Sequence, residues 1–310
     1  MSSERFLAVL QSEGPLCDDC IYVPAGLAQR QSANQLRRLQ GLGVIARGSG
    51  TCPKCLGTKT INRFLGDSTV LGASLPVAPS ASRVRGHREW HVTSAQFEEC
   101  VHDFVDGTND SHGRQPDERY ASFDYCFNYF QSFRDAGEAS SLGSSANIQV
   151  SCLQLGFYLA SWGMLRGSSH LLQRSARFLA PVVELISATE SGFWEIDANN
   201  YDDSAIRRLL DMGSKIGQAI GSKSDTLVTK VMLGVFGCVP AFDRNFKLGF
   251  EVSAFGPNAL NKVADFYEDH AKLIDGCRVP TLDFVTGEPT VRLYTRAKVI
   301  DMAFFIRGVS

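Results

Sequence analysis

The sequence lacks any long unbroken apolar segment. No run of 18 apolar residues occurs, whereas a membrane-spanning helix needs about 20. The first residues also lack the charged segment, apolar run and small-residue cleavage site of a secretory signal. We therefore expect a soluble, cytoplasmic protein that does not associate with a membrane.

An excess of charge of either sign is also missing, because the formal net charge is only −2. Such a balance gives no global attraction to nucleic acid, so any basic surface must be local. No internal repeat of about 20 to 50 residues and no compact carboxylate cluster for Mg²⁺ is evident. These absences argue against solenoid proteins and metal-dependent nucleases. The 310 residues, 44% of them hydrophobic, suffice for one large or two smaller domains.

Nine cysteines occur without a secretion signal, which favours metal ligands and buried thiols over disulfides. Two CxxC pairs are present, Cys17 with Cys20 and Cys52 with Cys55. A CxxC turn directs two thiolates to one side of a loop, and two such turns complete a tetrahedral zinc site. We predict a structural zinc ion there, because four thiolates leave no open position for water. The alternative is that these are ordinary buried cysteines.

The pattern of residues 1–66 predicts a winged helix-turn-helix module. A turn near Ser32 and a second helix carrying Leu36 and Leu39 precede a short apolar strand at Val44 and Ile45. The second helix of such a module can enter the major groove of DNA. Eight Lys or Arg against four Asp or Glu give this region a net charge of +4. Its predicted DNA-binding side chains are Arg30, Arg37, Arg38 and Arg47. Docking to another protein is the alternative.

Residues 67–90 are rich in Gly, Ser, Ala and Pro and show no sustained hydrophobic period, so they predict a linker. The pattern is helical from there onward. We therefore predict a mainly α fold with an all-α second domain at residues 91–310. Its aromatic residues between 123 and 133 recur at helical spacing, which is more typical of core than of base stacking.

A nearly uncharged helix is predicted within residues 145–173, and its low charge suggests a central position. The segment after it predicts a pocket for a planar base, with Trp162 stacking on the base and Arg166 offering a hydrogen-bond fork. The candidate pocket residues are Trp162, Arg166, Ser168 and Asn147. Equally open is that Arg166 caps a helix end and that Trp162 fills core.

Three further segments carry predictions of their own. The acidic loop 191–204 contains Phe193 and Trp194, which we expect to be exposed on a lid, a wedge into DNA or a plain surface connection. Amphipathic helices are predicted near residues 258–275 and 291–307.

The stretch of residues 225–244 places one carboxylate in an apolar setting. Leu227, Val231 and Val235 recur every fourth residue, which indicates a buried helix, and a serine and an aspartate before them can cap its start. Gly237 then ends the helix. Asp243 follows after a short turn that contains a proline.

This order of tight turn, helix, short turn and aspartate resembles the helix-hairpin-helix DNA glycosylases. The string TLVTKVMLGVFGCVPAFDRNF contains the apolar helix, an FG pair, a proline and Asp243. The resemblance implies that Asp243 is catalytic and that a base flipped out of double-stranded DNA is excised. It also implies contacts to DNA around the hairpin, for which the candidates are Ser222, Lys223, Ser224, Lys230 and Arg244.

The resemblance also bears on the reaction type. Family members that cut the DNA backbone carry a hairpin lysine at a position that corresponds to Asp225 here. We therefore expect a monofunctional enzyme, unless a shifted hairpin brings in Lys223. Members with an iron–sulfur cluster hold it with closely spaced cysteines after the aspartate. Since only Cys277 lies there, no such cluster is expected.

Excision of a base builds positive charge on the sugar, and a carboxylate in a dry pocket can stabilise that cation and orient water. We therefore expect a DNA glycosylase. Its combination with a zinc-containing winged helix resembles bacterial genome-defence proteins, and removal of a modified cytosine from phage DNA is one possibility. The alternative is a non-enzymatic, zinc-containing DNA-binding transcriptional regulator in which Asp243 is an exposed helix cap.

Overall fold

The structure is a computed structural model. It describes residues 2–21, 36, 39–40, 44–65, 90–108, 112–167, 169–222 and 224–309. The predictions for Arg30, Arg37, Arg38, Ser168 and Lys223, and for nearly all of the linker, lie outside these residues. The chain divides into two compact units, Met1–Arg88 and Glu89–Ser310. The fold is mainly helical with little sheet.

The first unit contains a small antiparallel sheet. In chain order its elements are α1 (Ser2–Glu13), β1 (Leu16–Cys17), α2 (Asp18–Ile21), β2 (Ile45–Thr51) and β3 (Thr58–Phe64). Strand β3 lies between the other two, and β2 pairs with it from Ile45 opposite Phe64 to Thr51 opposite Thr58. Apolar side chains of both helices and the sheet pack with Leu36 and Leu39, which are helical and buried. This unit therefore has a hydrophobic core of its own.

The second unit is built mostly from helices. They are α3 (Ser94–Val105), α4 (Ser122–Asp135), α5 (Ile148–Ser161), α6 (Ala180–Ser187), α7 (Asp203–Ile220), α8 (Asp225–Phe236), α9 (Arg244–Gly249), α10 (Pro257–Gly276) and α11 (Arg296–Arg307). A hairpin of two strands, β4 (Pro280–Leu282) and β5 (Pro289–Leu293), precedes α11. Short 3₁₀ turns connect several of the helices.

Helix α8 lies at the centre of this unit. All of its residues from Leu227 to Phe236 are buried. Its neighbours include α4, α5 and α7. The approach to α5 is close, because a Cβ added at Gly234 would lie 2.4 Å from the Tyr158 ring. The buried helix predicted from the four-residue apolar spacing is therefore present.

Local signals set the ends of α8. The Ser224 side chain accepts the Leu227 amide hydrogen, which is an N-cap, and Gly237 adopts a left-handed φ of 66° after the last turn. The preceding helix α7 likewise ends at a left-handed glycine, Gly221. The turn and helix that precede Asp243 thus follow from residues that cap helices.

Three local predictions differ from the structure. The second unit is not all-α, because residues 280–293 form a hairpin whose turn is closed by the Asp283 carboxylate, which accepts two backbone amide hydrogens. Helix α11 therefore begins later than predicted. Helix α5 is exposed along one face, including Phe157 at 71% exposure, because only its other face packs inward. Phe193 and Trp194 are buried, since a 3₁₀ turn directs both rings against Phe236.

Within the described parts of the chain, no helix combines the length and apolar character needed to cross a bilayer.

A buried carboxylate joins α4 to the hairpin. Asp124 is fully buried and accepts hydrogen bonds from Tyr294 Oη at 2.5 Å, from the Leu282 amide and from Arg114 Nη1, the last two at 3.1 Å. Burial raises the pKa of Asp124 to about 6, although the Arg114 charge acts to lower it. The proton is therefore held more tightly in the folded than in the unfolded chain.

We predict that Asp124→Asn changes how stability depends on pH. Between about pH 4 and 6 the folded state keeps a proton that the unfolded state has released, so the contribution of Asp124 is full below this range and lost above it. The free energy of unfolding of the wild type, minus that of the variant, should fall by up to about 3 kcal/mol from pH 4 to 7. Urea unfolding across this range measures the difference.

The exposed carboxylate Asp211 offers a matched control, because its side chain is 63% exposed. Asp211→Asn should leave the pH profile of stability close to that of the wild type. Parallel profiles for the wild type and Asp124→Asn would contradict a raised pKa.

Candidate functional site

A cavity of about 520 Å³ in the second unit brings together several of the predicted site residues. It lies where the C-terminal end of α5, the N-terminal half of α8 and the start of α9 meet. The lining residues are Arg119, Ser161, Trp162, Gly163, Met164, Arg166, Thr226, Lys230, Asp243, Arg244, Asn245 and Phe305. The cavity contains five residues for which the sequence predicts a function. Two were predicted for the base pocket, Trp162 and Arg166, one for catalysis, Asp243, and two for contact with DNA, Lys230 and Arg244.

Asp243 is held in two ways. Its Oδ1 accepts the Phe246 amide hydrogen at 3.0 Å, which makes it the N-cap of α9. Its Oδ2 accepts a hydrogen bond from Lys230 Nζ at 3.1 Å. The side chain is only 15% exposed. Asp243 is therefore a helix cap, but it is not the exposed cap that the sequence offered as the alternative to a catalytic residue. The carboxylate is oriented on both sides and still borders the cavity.

Lys230 is buried, which corrects its predicted role as a surface contact to DNA. Its side chain is 3% exposed, and Nζ lies 4.7 Å from the centre of the Trp162 ring. Burial lowers its pKa, against the attraction of Asp243. The signal in the sequence was a lone lysine inside an apolar helix, since such a residue needs an acidic partner. The sequence does not show that the partner would be Asp243.

An aromatic stack forms one wall of the cavity. Trp162 is nearly parallel to Tyr120, with ring centres 5.3 Å apart, and Tyr120 stacks on Phe104 at 4.5 Å. The Phe305 ring meets Trp162 edge-on. Trp162 thus packs in the interior, as one interpretation of the sequence has it, and it lines the cavity as well. Its stacking on a base stays a prediction.

Basic side chains surround the opening. Arg119, Arg166 and Arg244 are exposed and come from three separate segments of the chain. Together with Lys230 they set four cationic groups against the single carboxylate of Asp243, a local net charge of +3. The side chains of Arg166 and Arg244 form no hydrogen bond or ion pair with any other residue that the structure describes. The opening therefore favours a ligand that carries negative charge.

Asn147, predicted to contribute to the base pocket, does not line this cavity. It lies at the N-terminal end of α5, and its Nδ2 donates to the Ser141 carbonyl at 3.1 Å. The cavity is at the other end of the helix, beyond Ser161. Ser222 and Ser224 do not line this cavity either. Their hydroxyl groups accept hydrogen bonds from backbone amides at the start of α8.

The cysteines of the two CxxC pairs meet in the first unit. The Sγ atoms of Cys17, Cys20, Cys52 and Cys55 all lie within 4.8 Å of one another. Cys17 and Cys55 are 3.7 Å apart at sulfur, close to the separation of about 3.8 Å that metal–sulfur bonds of about 2.3 Å give in a tetrahedron. The group can therefore hold one metal ion.

Backbone amides favour the thiolate form of Cys52 in this cluster. The Cys17 amide points at Cys52 Sγ from 3.5 Å. Burial acts to raise the pKa of Cys52, but the amides of Cys17, Cys55 and Lys54 outweigh it and lower the pKa to about 6. Burial raises the pKa of Cys20 to about 12. A cation would stabilise all four thiolates, since the thiolate is the form that binds metal.

Arg47, predicted to contact DNA, is engaged within the first unit. Its guanidinium pairs with the Asp18 carboxylate, and Nε donates to Asn62 Oδ1 at 2.8 Å. The side chain is only 10% exposed. Its charge is therefore committed to holding β2 against the segment that follows β1.

The search for similar proteins returned no matching family model, no matching curated protein and no matching solved structure. The likeness to helix-hairpin-helix glycosylases therefore rests on the motif around Asp243.

We predict strong coupling between Lys230 and Asp243 in a double-mutant cycle. Asp243→Asn keeps a side chain that can cap α9 but leaves the Lys230 charge buried without its partner, so stability should fall by about 2 to 4 kcal/mol. Adding Lys230→Met removes that charge and should recover most of the loss. Urea unfolding of the wild type, both single variants and the double variant measures the coupling.

Lys215 and Asp211 form a matched exposed pair at 2.8 Å. Their cycle should give a coupling of at most about 0.5 kcal/mol, because water screens both charges. Additive effects of the Lys230 and Asp243 substitutions would contradict the buried ion pair.

Proposed function

We propose that this protein is a DNA glycosylase that hydrolyses the bond between a base and its sugar. The observation that carries the proposal is the pair of Asp243 and Lys230 in a cationic cavity beside the face of Trp162. A carboxylate held at a fixed place supplies negative charge where the sugar becomes positive. The surrounding arginines supply the attraction for the DNA phosphates.

The reaction needs two charges to be managed. As the bond between C1′ and the base nitrogen breaks, the bonding electrons leave with the base and positive charge builds on the sugar. Asp243 stabilises that charge and orients the water whose oxygen forms the new bond to C1′. Lys230 holds the carboxylate in position through the bond at 3.1 Å. The water gives up one proton as its oxygen bonds to C1′, and the departing base takes up one proton, so that the overall reaction is a hydrolysis.

The remaining lining residues fit an extruded nucleotide. Trp162 offers an aromatic face to the base, and Arg119, Arg166 and Arg244 can bind phosphates on either side of it. About 520 Å³ is in the range of sites for small molecules, roughly 300 to 1,000 Å³, so an extruded base can enter the cavity. The substrate class we propose is a modified base, such as a modified phage cytosine excised as antiviral defence.

The order of elements also supports a helix-hairpin-helix arrangement, with α7, a short turn, α8 and then Asp243. We retain the proposal of a monofunctional enzyme, since Lys230 is occupied by Asp243. A lysine so close to the reacting carbon would otherwise offer an amine for an imine with the sugar. Trapping with borohydride distinguishes the two cases.

For the cysteine cluster we propose a structural zinc ion. Four thiolates suit Zn²⁺ and leave no position for a reacting water, so the ion would hold the two CxxC turns together and take no part in chemistry. A winged helix around it, in contact with DNA, is part of the same proposal. The ion would stabilise a unit with a small core.

Metal analysis tests the zinc proposal. Purified protein should carry about one zinc ion per chain, and chelation should lower the melting temperature of the first unit. Cys52→Ser should lose the metal, whereas Cys100→Ser, which alters a cysteine outside the cluster, should keep it. A metal-free protein with unchanged melting would contradict a structural metal.

Base excision is tested with DNA from unmodified bacteria and from phages with hypermodified cytosines. Wild-type protein should leave abasic sites that break only after heating in alkali, and on one class of DNA. Asp243→Asn should reduce the rate by about 100-fold or more, because the charge that stabilises the sugar cation is gone. Gel electrophoresis of the DNA measures the breaks.

The variant of an exposed carboxylate, Asp211→Asn, serves as the control and should excise the base at the rate of the wild type. Breaks before alkali, together with a borohydride adduct that Lys230→Met abolishes, would overturn the monofunctional assignment. Intact DNA of every kind, with binding retained in a gel shift, would overturn the enzyme and favour a DNA-binding regulator.

A further inference from the structure

The segment that carries Asp243 into the cavity is buried but belongs to no helix or strand. Residues 237–242 link α8 to α9, and Cys238, Val239 and Phe242 are fully buried. Buried backbone groups need partners, because leaving them unsatisfied costs about 1 to 3 kcal/mol each. Two backbone bonds are present, from the Gly237 amide to the Leu233 carbonyl and from the Asp243 amide to the Ala241 carbonyl. Side chains from several separate elements supply further partners.

Most of these partners are neutral hydroxyl groups. Thr295 donates to the Gly237 carbonyl at 2.7 Å, and Tyr201 donates to the Cys238 carbonyl. Two threonines of α8, Thr226 and Thr229, bond the carbonyl and the amide of Phe242 at 3.1 and 2.8 Å. These bonds fix the two ends of the segment.

The residue before Phe242 is held by a carboxylate. The Ala241 amide donates to Asp301 Oδ1 at 2.8 Å, and Asp301 lies on α11 with 5% exposure. Among the side chains that bond to this backbone in the described part of the chain, Asp301 is the only charged one. Its second oxygen accepts from Lys298 Nζ at 2.9 Å, and Lys298 is 1% exposed.

Lys298 connects this support to the aromatic wall. Its Nζ lies 4.5 Å from the centre of the Phe104 ring and 5.5 Å from that of Trp162. One buried ion pair therefore touches both surfaces that the proposed reaction uses. Asp301 holds the backbone two residues before Asp243. Lys298 packs against the aromatic stack that contains Trp162.

We infer that Asp301, neutralised by Lys298, is a positioning residue that sets the place of Asp243 relative to Trp162. The inference rests on the proposed glycosylase function for its consequence on rate. Its structural part, that the Asp301 acceptor orders residues 237–243, stands without that function. Asp301 does not line the cavity, so it acts through the Ala241 backbone and through its charge, which favours the protonated form of Lys230. Both double variants described next lack this charge, so the comparison between them isolates the hydrogen bond to Ala241.

Two double variants isolate the acceptor. Both carry Lys298→Met, so neither leaves an unpaired lysine charge. One adds Asp301→Asn, whose amide oxygen can still accept the Ala241 amide hydrogen. The other adds Asp301→Leu, which has a similar shape and no acceptor. Single-turnover excision, the Kd for substrate DNA and hydrogen exchange of the Ala241 amide are measured for each.

We expect the leucine variant to react at least about 10-fold more slowly than the asparagine variant, because small displacements of a catalytic group have large effects on rate. The Kd for DNA should differ less than about 2-fold, since the phosphate contacts are elsewhere. Exchange at Ala241 should be faster in the leucine variant. Equal excision rates and equal exchange of the Ala241 amide in the two variants would overturn the inference. A lower rate of the leucine variant that comes with an equally weakened Kd for DNA would also overturn it.

Failure of the proposed function would be recognised separately. If the wild type excises no base from any DNA, the glycosylase proposal fails and the exchange of Ala241 alone decides. Faster exchange in the leucine variant, with the melting temperatures of the two variants alike, would support an ordering role of Asp301. Unchanged exchange would refute it.

Discussion

The buried ion pair of Lys230 and Asp243 is the interaction on which the architecture of the second unit depends. A lysine buried within the central helix is stabilised by a carboxylate, and here that carboxylate comes from the segment that follows the helix. The ion pair ties the chain after α8 back to that helix. It also leaves one edge of the carboxylate at a cavity, where its charge is available to a ligand.

A second buried pair, Lys298 with Asp301, supports the same segment through the Ala241 amide. Both ammonium groups lie near the Trp162 ring, at 4.7 and 5.5 Å from its centre. Burying four charges is expensive unless each is paired and hydrogen-bonded, and here each one is. The two pairs hold one carboxylate, that of Asp243, at a defined position beside the Trp162 ring. The proposed reaction requires such a preorganised charge.

The sequence predicted those features that depend on local signals. The four-residue apolar spacing identified α8, the glycine after it marked its end, and the spacing of Cys17, Cys20, Cys52 and Cys55 identified a group of cysteines that can hold a metal ion. Features that depend on distant partners were missed. The pairing of Lys230, the support from Asp301 and the burial of Trp194 all join residues far apart in the chain, and no local period encodes such contacts.

The role of Asp243 can be tested by measuring binding to two duplexes that differ only in charge at one sugar. One carries a pyrrolidine ring in place of the sugar, which is cationic and imitates the charge formed on excision. The other carries a neutral tetrahydrofuran ring of the same shape. We expect wild-type protein to bind the cationic duplex at least about 10-fold more tightly and Asp243→Asn to lose this preference. Equal affinities of the wild type for the two duplexes would contradict a cation-stabilising role of Asp243, whatever base is the natural target.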